Sequence, residues 1–135
     1  MRILKNFIIA LVAATAIVAC NKEKSDPQPQ PASEVVGKYD GLYGFGDDLP
    51  DAEMKIEIKP GGVFQEIGAN SGAPTGEGTW QLNGHTLTAT YTMLYAPFTK
   101  YSINATFNPD TKELGGTWGW DNNPSDGGKL IMHKL

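Results

Sequence analysis

Residues 34–135 of this 135-residue chain read as an all-β body, an eight-stranded antiparallel up-and-down meander barrel, standing behind a signal peptide and a disordered linker. Three observations predict it. Apolar side chains recur with a period of two, and turn-forming residues separate those runs at hairpin spacing. No window of the body sustains the three-and-four apolar spacing of an amphipathic helix, because Gly or Pro interrupts nearly every stretch long enough to form one. About a hundred residues make one small domain and leave no room for a second.

The chain opens with Arg2 and Lys5 ahead of an unbroken apolar or small run, Phe7 to Ala19, whose most polar member is Thr15. A positive start before a short apolar run is a signal-peptide layout. As a helix the run reaches roughly 20 Å at about 1.5 Å per residue, against a hydrocarbon core of about 30 Å, so residues 1–19 are expected to be removed rather than kept as an anchor. The run ends in Ile17-Val18-Ala19-Cys20, which resembles the lipobox of bacterial lipoproteins. The resemblance implies that the Cys20 thiol is joined to diacylglycerol and that Cys20 becomes the first residue of the mature chain. Two or three acyl chains, at about 0.8 kcal/mol per buried methylene, then hold the protein at a membrane. The alternative is an ordinary buried Cys at the end of an uncleaved helix.

Residues 20–33 follow as acylated Cys and tether. Asn21 to Ser33, NKEKSDPQPQPAS, has no apolar residue larger than Ala and cannot bury enough surface to offset its ordering entropy. The alternating Pro27-Gln28-Pro29-Gln30-Pro31 favours polyproline geometry, which at about 3.1 Å per residue extends the tether to roughly 40 Å. Loss of Arg2 and Lys5 with the leader lowers eleven basic residues to nine against fifteen acidic, a net charge of −6. An acidic body is repelled by anionic headgroups and stands off a membrane. No basic stretch could neutralise a run of phosphates, which argues against a nucleic-acid partner.

The strands are expected at about 35–45, 53–59, 62–68, 76–82, 85–95, 100–108, 113–120 and 128–134. Met54, Ile56 and Ile58 alternate with Lys55, Glu57 and Lys59; Leu87, Ala89, Tyr91 and Met93 alternate with threonines; Tyr101, Ile103, Ala105 and Phe107 alternate with Ser102, Asn104 and Thr106. Lys59-Pro60-Gly61-Gly62, Asn83-Gly84 and Asn108-Pro109-Asp110-Thr111 are the turns, with Asn83-Gly84 a two-residue hairpin signal because both residues tolerate positive φ. Elements that pair in sequence can close, and closure removes the free edges that invite aggregation.

Thr75 to Gly84, TGEGTWQLNG, with the Thr-rich strand Leu87 to Thr92 and the earlier Gly37-Lys38-Tyr39, resembles the small lipocalin-like lipoproteins of Bacteroidetes. That resemblance covers most of residues 35–135. It implies an eight-stranded barrel in an envelope protein anchored by lipid at the outer membrane, on its periplasmic or its surface side. Gly116-Thr117-Trp118 repeats the tripeptide Gly78-Thr79-Trp80, and reads as barrel architecture, with the ring filling a barrel end.

The aromatic residues Tyr39, Tyr43, Trp80, Tyr91, Tyr101, Phe107 and Trp118 are the candidate ligand-binding set. An eight-stranded barrel is either filled by side chains or left with room for one small ligand, and both alternatives stand. Gly41, Ala89, Ala105 and Gly116 lie on the aromatic period and are expected to leave space beside the rings. An enzyme is not expected: no Ser sits in an elbow motif, Cys20 is committed to lipid, and His85 and His133 fall at strand ends. One Cys cannot build a thiolate cluster, and the Asp121-to-Gly127 loop lacks the Gly register and final Glu of a calcium loop, so neither metal nor cofactor is expected. The expected partners are the membrane, through the lipid, and a small hydrophobic ligand, or an envelope protein docked on Leu94 to Phe98.

Overall fold

A computed structural model describes residues 32–135; the expected signal peptide, Cys20 and the linker as far as residue 31 lie outside the described residues. A single helical turn, α1 (Ala32–Val35), leads into eight strands: β1 (Gly37–Tyr43), β2 (Ala52–Lys59), β3 (Val63–Ile67), β4 (Pro74–Asn83), β5 (Thr86–Met93), β6 (Lys100–Asn108), β7 (Glu113–Trp120) and β8 (Gly128–Lys134). Each strand pairs antiparallel with the next, and β1 pairs with β8 from Tyr39 opposite Lys134 to Tyr43 opposite Leu130. The sheet is a closed up-and-down barrel, as the period-two pattern predicts.

The first strand is shorter than its expected 35–45. Gly37 takes a φ of 150°, outside the range of ordinary L residues, and separates the helical turn from the strand. Val35 is therefore used as a plug rather than as a strand residue, with no exposed surface. Gly44 and Phe45 already belong to the loop that leads to β2.

Closure divides the core into two ends. At one end lie α1 and the short connections β2–β3, β4–β5 and β6–β7. Tyr39, Ile58, Phe64, Leu87, Phe107, Leu114 and Met132 are fully buried towards this side, beneath Val35. The Tyr39 hydroxyl donates to the Val35 carbonyl at 2.6 Å, which holds α1 across the opening. Lys134 Nζ donates to the Glu34 carbonyl at 2.8 Å and Lys112 pairs with the Glu34 carboxylate at 3.7 Å, adding polar ties around the rim. This end is filled.

At the other end the longer connections β1–β2, β3–β4, β5–β6 and β7–β8 surround an opening. The expected space beside Gly41 and Gly116 is absent. A Cβ on Gly41 would run into the backbone of Ile131 and Met132, and one on Gly116 into the backbone of Asn104 and Ala105. Backbones, not cavities, occupy those positions, and Ala89 and Ala105 are buried in the packed core. A cavity opens instead at the mouth.

Candidate functional site

Odd and even strands run in opposite directions, so their opposite termini meet at the mouth. The C-terminal halves of β1, β3, β5 and β7 bring Tyr43, Glu66, Tyr91, Met93, Trp118 and Trp120 there, and the starts of β2 and β6 add Glu53, Met54 and Tyr101. With Phe45 and Tyr95 from the loops they line a cavity of about 210 Å³. At about 30 Å³ per water this is roughly seven waters' worth of space, and a cavity of about 150 Å³ already accepts benzene. The scale is one ring-sized molecule.

Trp118 organises the walls. Its indole Nε1 donates to the Gly44 carbonyl at 2.9 Å, which fixes the ring against the β1–β2 loop. Tyr43 meets it at 5.5 Å and 90°, Phe45 at 5.3 Å and 83°, Tyr101 at 5.9 Å and 65°, and Trp120 at 5.1 Å and 60°. Edge-to-face pairs of this kind add about 0.5–1.5 kcal/mol each beyond area burial. Below them Tyr91 joins Tyr101 at 5.6 Å and the fully buried Phe64 at 5.1 Å.

Two carboxyl groups belong to this lining, Glu53 at the start of β2 and Glu66 on the inner face of β3. Glu66 shares the inward register of Phe64, two residues before it. The Thr75 hydroxyl donates to the Glu66 carbonyl at 3.4 Å and lies 3.5 Å from its Oε1. Burial raises the Glu66 pKa above its ordinary 4.5, and hydrogen bonding from the Tyr91 and Thr75 hydroxyls offsets part of that rise. Burial also lifts Tyr91 well above the usual phenol value, with the neighbouring Glu66 charge pushing the same way, and Tyr101 is raised by the same two causes in that order. Both phenols are neutral at physiological pH and face the cavity as hydroxyl groups. Glu66 joins no ion pair with a described residue.

Of the seven aromatic residues expected to bind a ligand, the fold gathers Tyr43, Tyr91, Tyr101 and Trp118 around the cavity. Tyr39 and Phe107 lie in the filled end, with exposures of 0% and 1%. Trp80 is also at that end, its Nε1 donating to the Lys59 carbonyl at 2.8 Å. Sequence reading missed Glu66, Phe45, Tyr95 and Trp120 as wall residues. The inward register of Glu66 follows from Phe64, yet Val63, Gln65 and Ile67 offer a competing register with two apolar members. Phe45 and Tyr95 lie in loops, where no period applies, and Trp120 continues the inward period of Trp118 as the last residue of β7.

The acidic β7–β8 loop is occupied by turn chemistry. Asp126 Oδ1 accepts the Trp120 N–H at 2.9 Å and Asn123 Oδ1 accepts both the N–H and the hydroxyl of Ser125. Among the described residues no three His, Cys, Asp or Glu side chains come together as a metal site. His133 Nδ1 lies 3.1 Å from the Glu113 carboxylate on the outer surface, far along β8 from the mouth. No family model matches the chain, and no match is found among curated proteins or among solved structures.

Proposed function

We propose that this chain is a non-enzymatic envelope lipoprotein, anchored at the outer membrane through Cys20, whose barrel mouth holds one small apolar or aromatic ligand. The single observation that carries the binding role is the 210 Å³ cavity walled by Tyr43, Tyr91, Tyr101 and Trp118. A barrel with one filled end and one open end is a container rather than a solid scaffold. The chain enters the barrel through α1 at the filled end, opposite the mouth.

Tryptophan emission tests the binding role, because Trp118 and Trp120 both line the cavity. Titration with ring-sized compounds such as indole, phenol, a simple benzoquinone and short-chain fatty acids is expected to shift or quench emission saturably for at least one. Absence of any saturable change across that panel defeats the proposal. Mass spectrometry of the membrane fraction tests the anchor, with a diacylglyceryl group expected on Cys20.

A second reading is favoured by the rim. Leu94, Tyr95 and Phe98 are 54%, 56% and 61% exposed on the β5–β6 loop, a concentration of apolar side chains suited to docking an envelope protein. In that case Phe98→Ser abolishes co-purification of a specific partner from detergent-solubilised envelopes, while Tyr101→Leu leaves it intact.

A further inference from the structure

We propose that the mouth selects an organic cation: a ring-sized ammonium or quaternary ammonium group seated among Tyr43, Tyr91, Tyr101 and Trp118, with the Glu66 carboxylate as its counter-charge. This rests on the cavity reading above and narrows the chemistry of the ligand. Three independent features converge on it.

The first is the wall. Trp118, Tyr43 and Tyr101 all line the cavity, with Trp118 packed edge-to-face against Tyr43 at 90° and Tyr101 at 65°. The negative faces of Trp and Tyr attract cations within about 6 Å, and cages of such rings are the usual receptacle for quaternary ammonium groups. The second is charge. The cavity lining contains Glu53 and Glu66 and no Lys, Arg or His. Lys100, the nearest base in sequence to the β5–β6 rim, is directed to Asn122 Oδ1 at 2.7 Å. An anionic ligand would meet a carboxylate without any compensating base, whereas a cation supplies the partner that the fold withholds from Glu66.

The third is the approach. Asp47, Asp48 and Asp51 occupy the β1–β2 loop, and Asp121 and Asp126 the β7–β8 loop beside it, the two loops joined by the Gly46 N–H donating to the Gly127 carbonyl at 2.8 Å, so acidic groups gather on one side of the opening. Acidic groups placed around a cleft raise the local concentration of cations and speed their entry. Volume limits the body of the ligand to about one ring or a trimethylammonium group with a short arm, which excludes nucleotides and long acyl chains.

Matched pairs of a cation and its neutral twin test this on the full chain in non-ionic detergent at pH 7: choline against 3,3-dimethylbutan-1-ol, and benzylamine against benzyl alcohol. Calorimetry and tryptophan emission are expected to show each cation binding about tenfold or more tightly than its twin. Glu66→Gln is expected to reduce that preference several-fold, and Tyr101→Leu to weaken the cation more than the twin. Circular dichroism of each variant verifies the fold, and Tyr101→Leu carries the test should Glu66→Gln not fold. Neutral twins that bind as well as or better than the cations overturn the proposal and leave the apolar-ligand reading standing. A preference undiminished in Glu66→Gln overturns the assigned counter-charge. Failure of all four compounds to bind at millimolar concentration overturns the proposal, and the cavity reading beneath it falls only when the ring-sized panel above fails as well.

Discussion

Gly78-Thr79-Trp80 on β4 and Gly116-Thr117-Trp118 on β7 place the same tripeptide on strands that run in opposite directions, so one indole serves the filled end and the other the mouth. Both rings are buried, and both donate Nε1 to a backbone carbonyl, Lys59 for Trp80 and Gly44 for Trp118. The surroundings differ. At the filled end α1 adds Val35, and the one inward phenol there, Tyr39, donates its hydroxyl to the Val35 carbonyl. At the mouth no helix of the described residues crosses the opening, and Tyr91, Tyr101 and Glu66 present polar groups to a cavity. A local motif fixes how a ring is held; whether that ring closes a core or walls a site depends on four residues of helix elsewhere in the chain.

Substitutions can break this contrast or sharpen it. The largest expected effect is from Phe107→Ala, which empties fully buried space under α1 and should lower unfolding free energy by about 3–5 kcal/mol in urea titration. Tyr101→Leu, at the mouth, should cost less than about 1.5 kcal/mol. Equal losses would mean that the two ends are packed alike. Next comes Gly116→Ala, whose new methyl group presses on the Asn104 carbonyl and the Ala105 Cα across the β6–β7 pair; about 1–3 kcal/mol should be lost, with the barrel still closed by circular dichroism.

A smaller effect of opposite sign is expected on the rim. Phe98 holds a φ of 56° while 61% exposed, a left-handed conformation that costs a bulky residue about 1–2 kcal/mol. Phe98→Gly should relieve that strain, less the entropy gained by the unfolded chain, for a net rise of up to about 1 kcal/mol in thermal unfolding. A fall in stability would show that the ring contributes packing its exposure conceals.

The smallest effect concerns Glu66 and pH. Burial raises its folded pKa above the 4.5 of an exposed carboxyl, so the folded protein holds this proton more tightly than the unfolded chain. The ionised form therefore destabilises the fold at neutral pH. Lowering pH through the folded pKa removes that penalty, and the gain is complete below 4.5. Tyr91, Thr75 and Tyr101 neighbour the group, and the raised phenols of Tyr91 and Tyr101 remain neutral throughout this window. Unfolding free energies of wild type and Glu66→Gln should accordingly differ least at acid pH and most near neutrality, with a flat difference showing that the group is effectively solvated.

Most of the barrel was legible because its strands are half-buried. Met54-Ile56-Ile58 and Tyr101-Ile103-Ala105-Phe107 announce their inward faces, and Asn83-Gly84 announces its hairpin, with Gly84 at a φ of 61°. The helical turn Ala32–Val35 was not legible, since four residues are too few for a period and nucleate no helix by themselves. Its invisibility hid the larger fact. Without α1 the two barrel ends look equivalent, and Tyr39, Trp80 and Phe107 are indistinguishable by pattern from Tyr43, Tyr91 and Trp118. Glu66 was obscured for a different reason: its strand, Val63-Phe64-Gln65-Glu66-Ile67, supports either register by composition, and only pairing with β2 and β4 chooses between them.

The seam between β1 and β8 brings residues distant in sequence together, for the Leu135 N–H donates to the Lys38 carbonyl at 2.9 Å and Lys134 reaches Glu34 beside it. A short glycine–serine splice from Leu135 to Ala32 would therefore span neighbouring points. New ends could then be cut between Asn70 and Ser71, both exposed in the β3–β4 connection. Such a circular permutant retains every strand pair and turns the present seam into a covalent hairpin, so that the origin of the chain becomes a free choice for engineering while the ladder of neighbours stays the same.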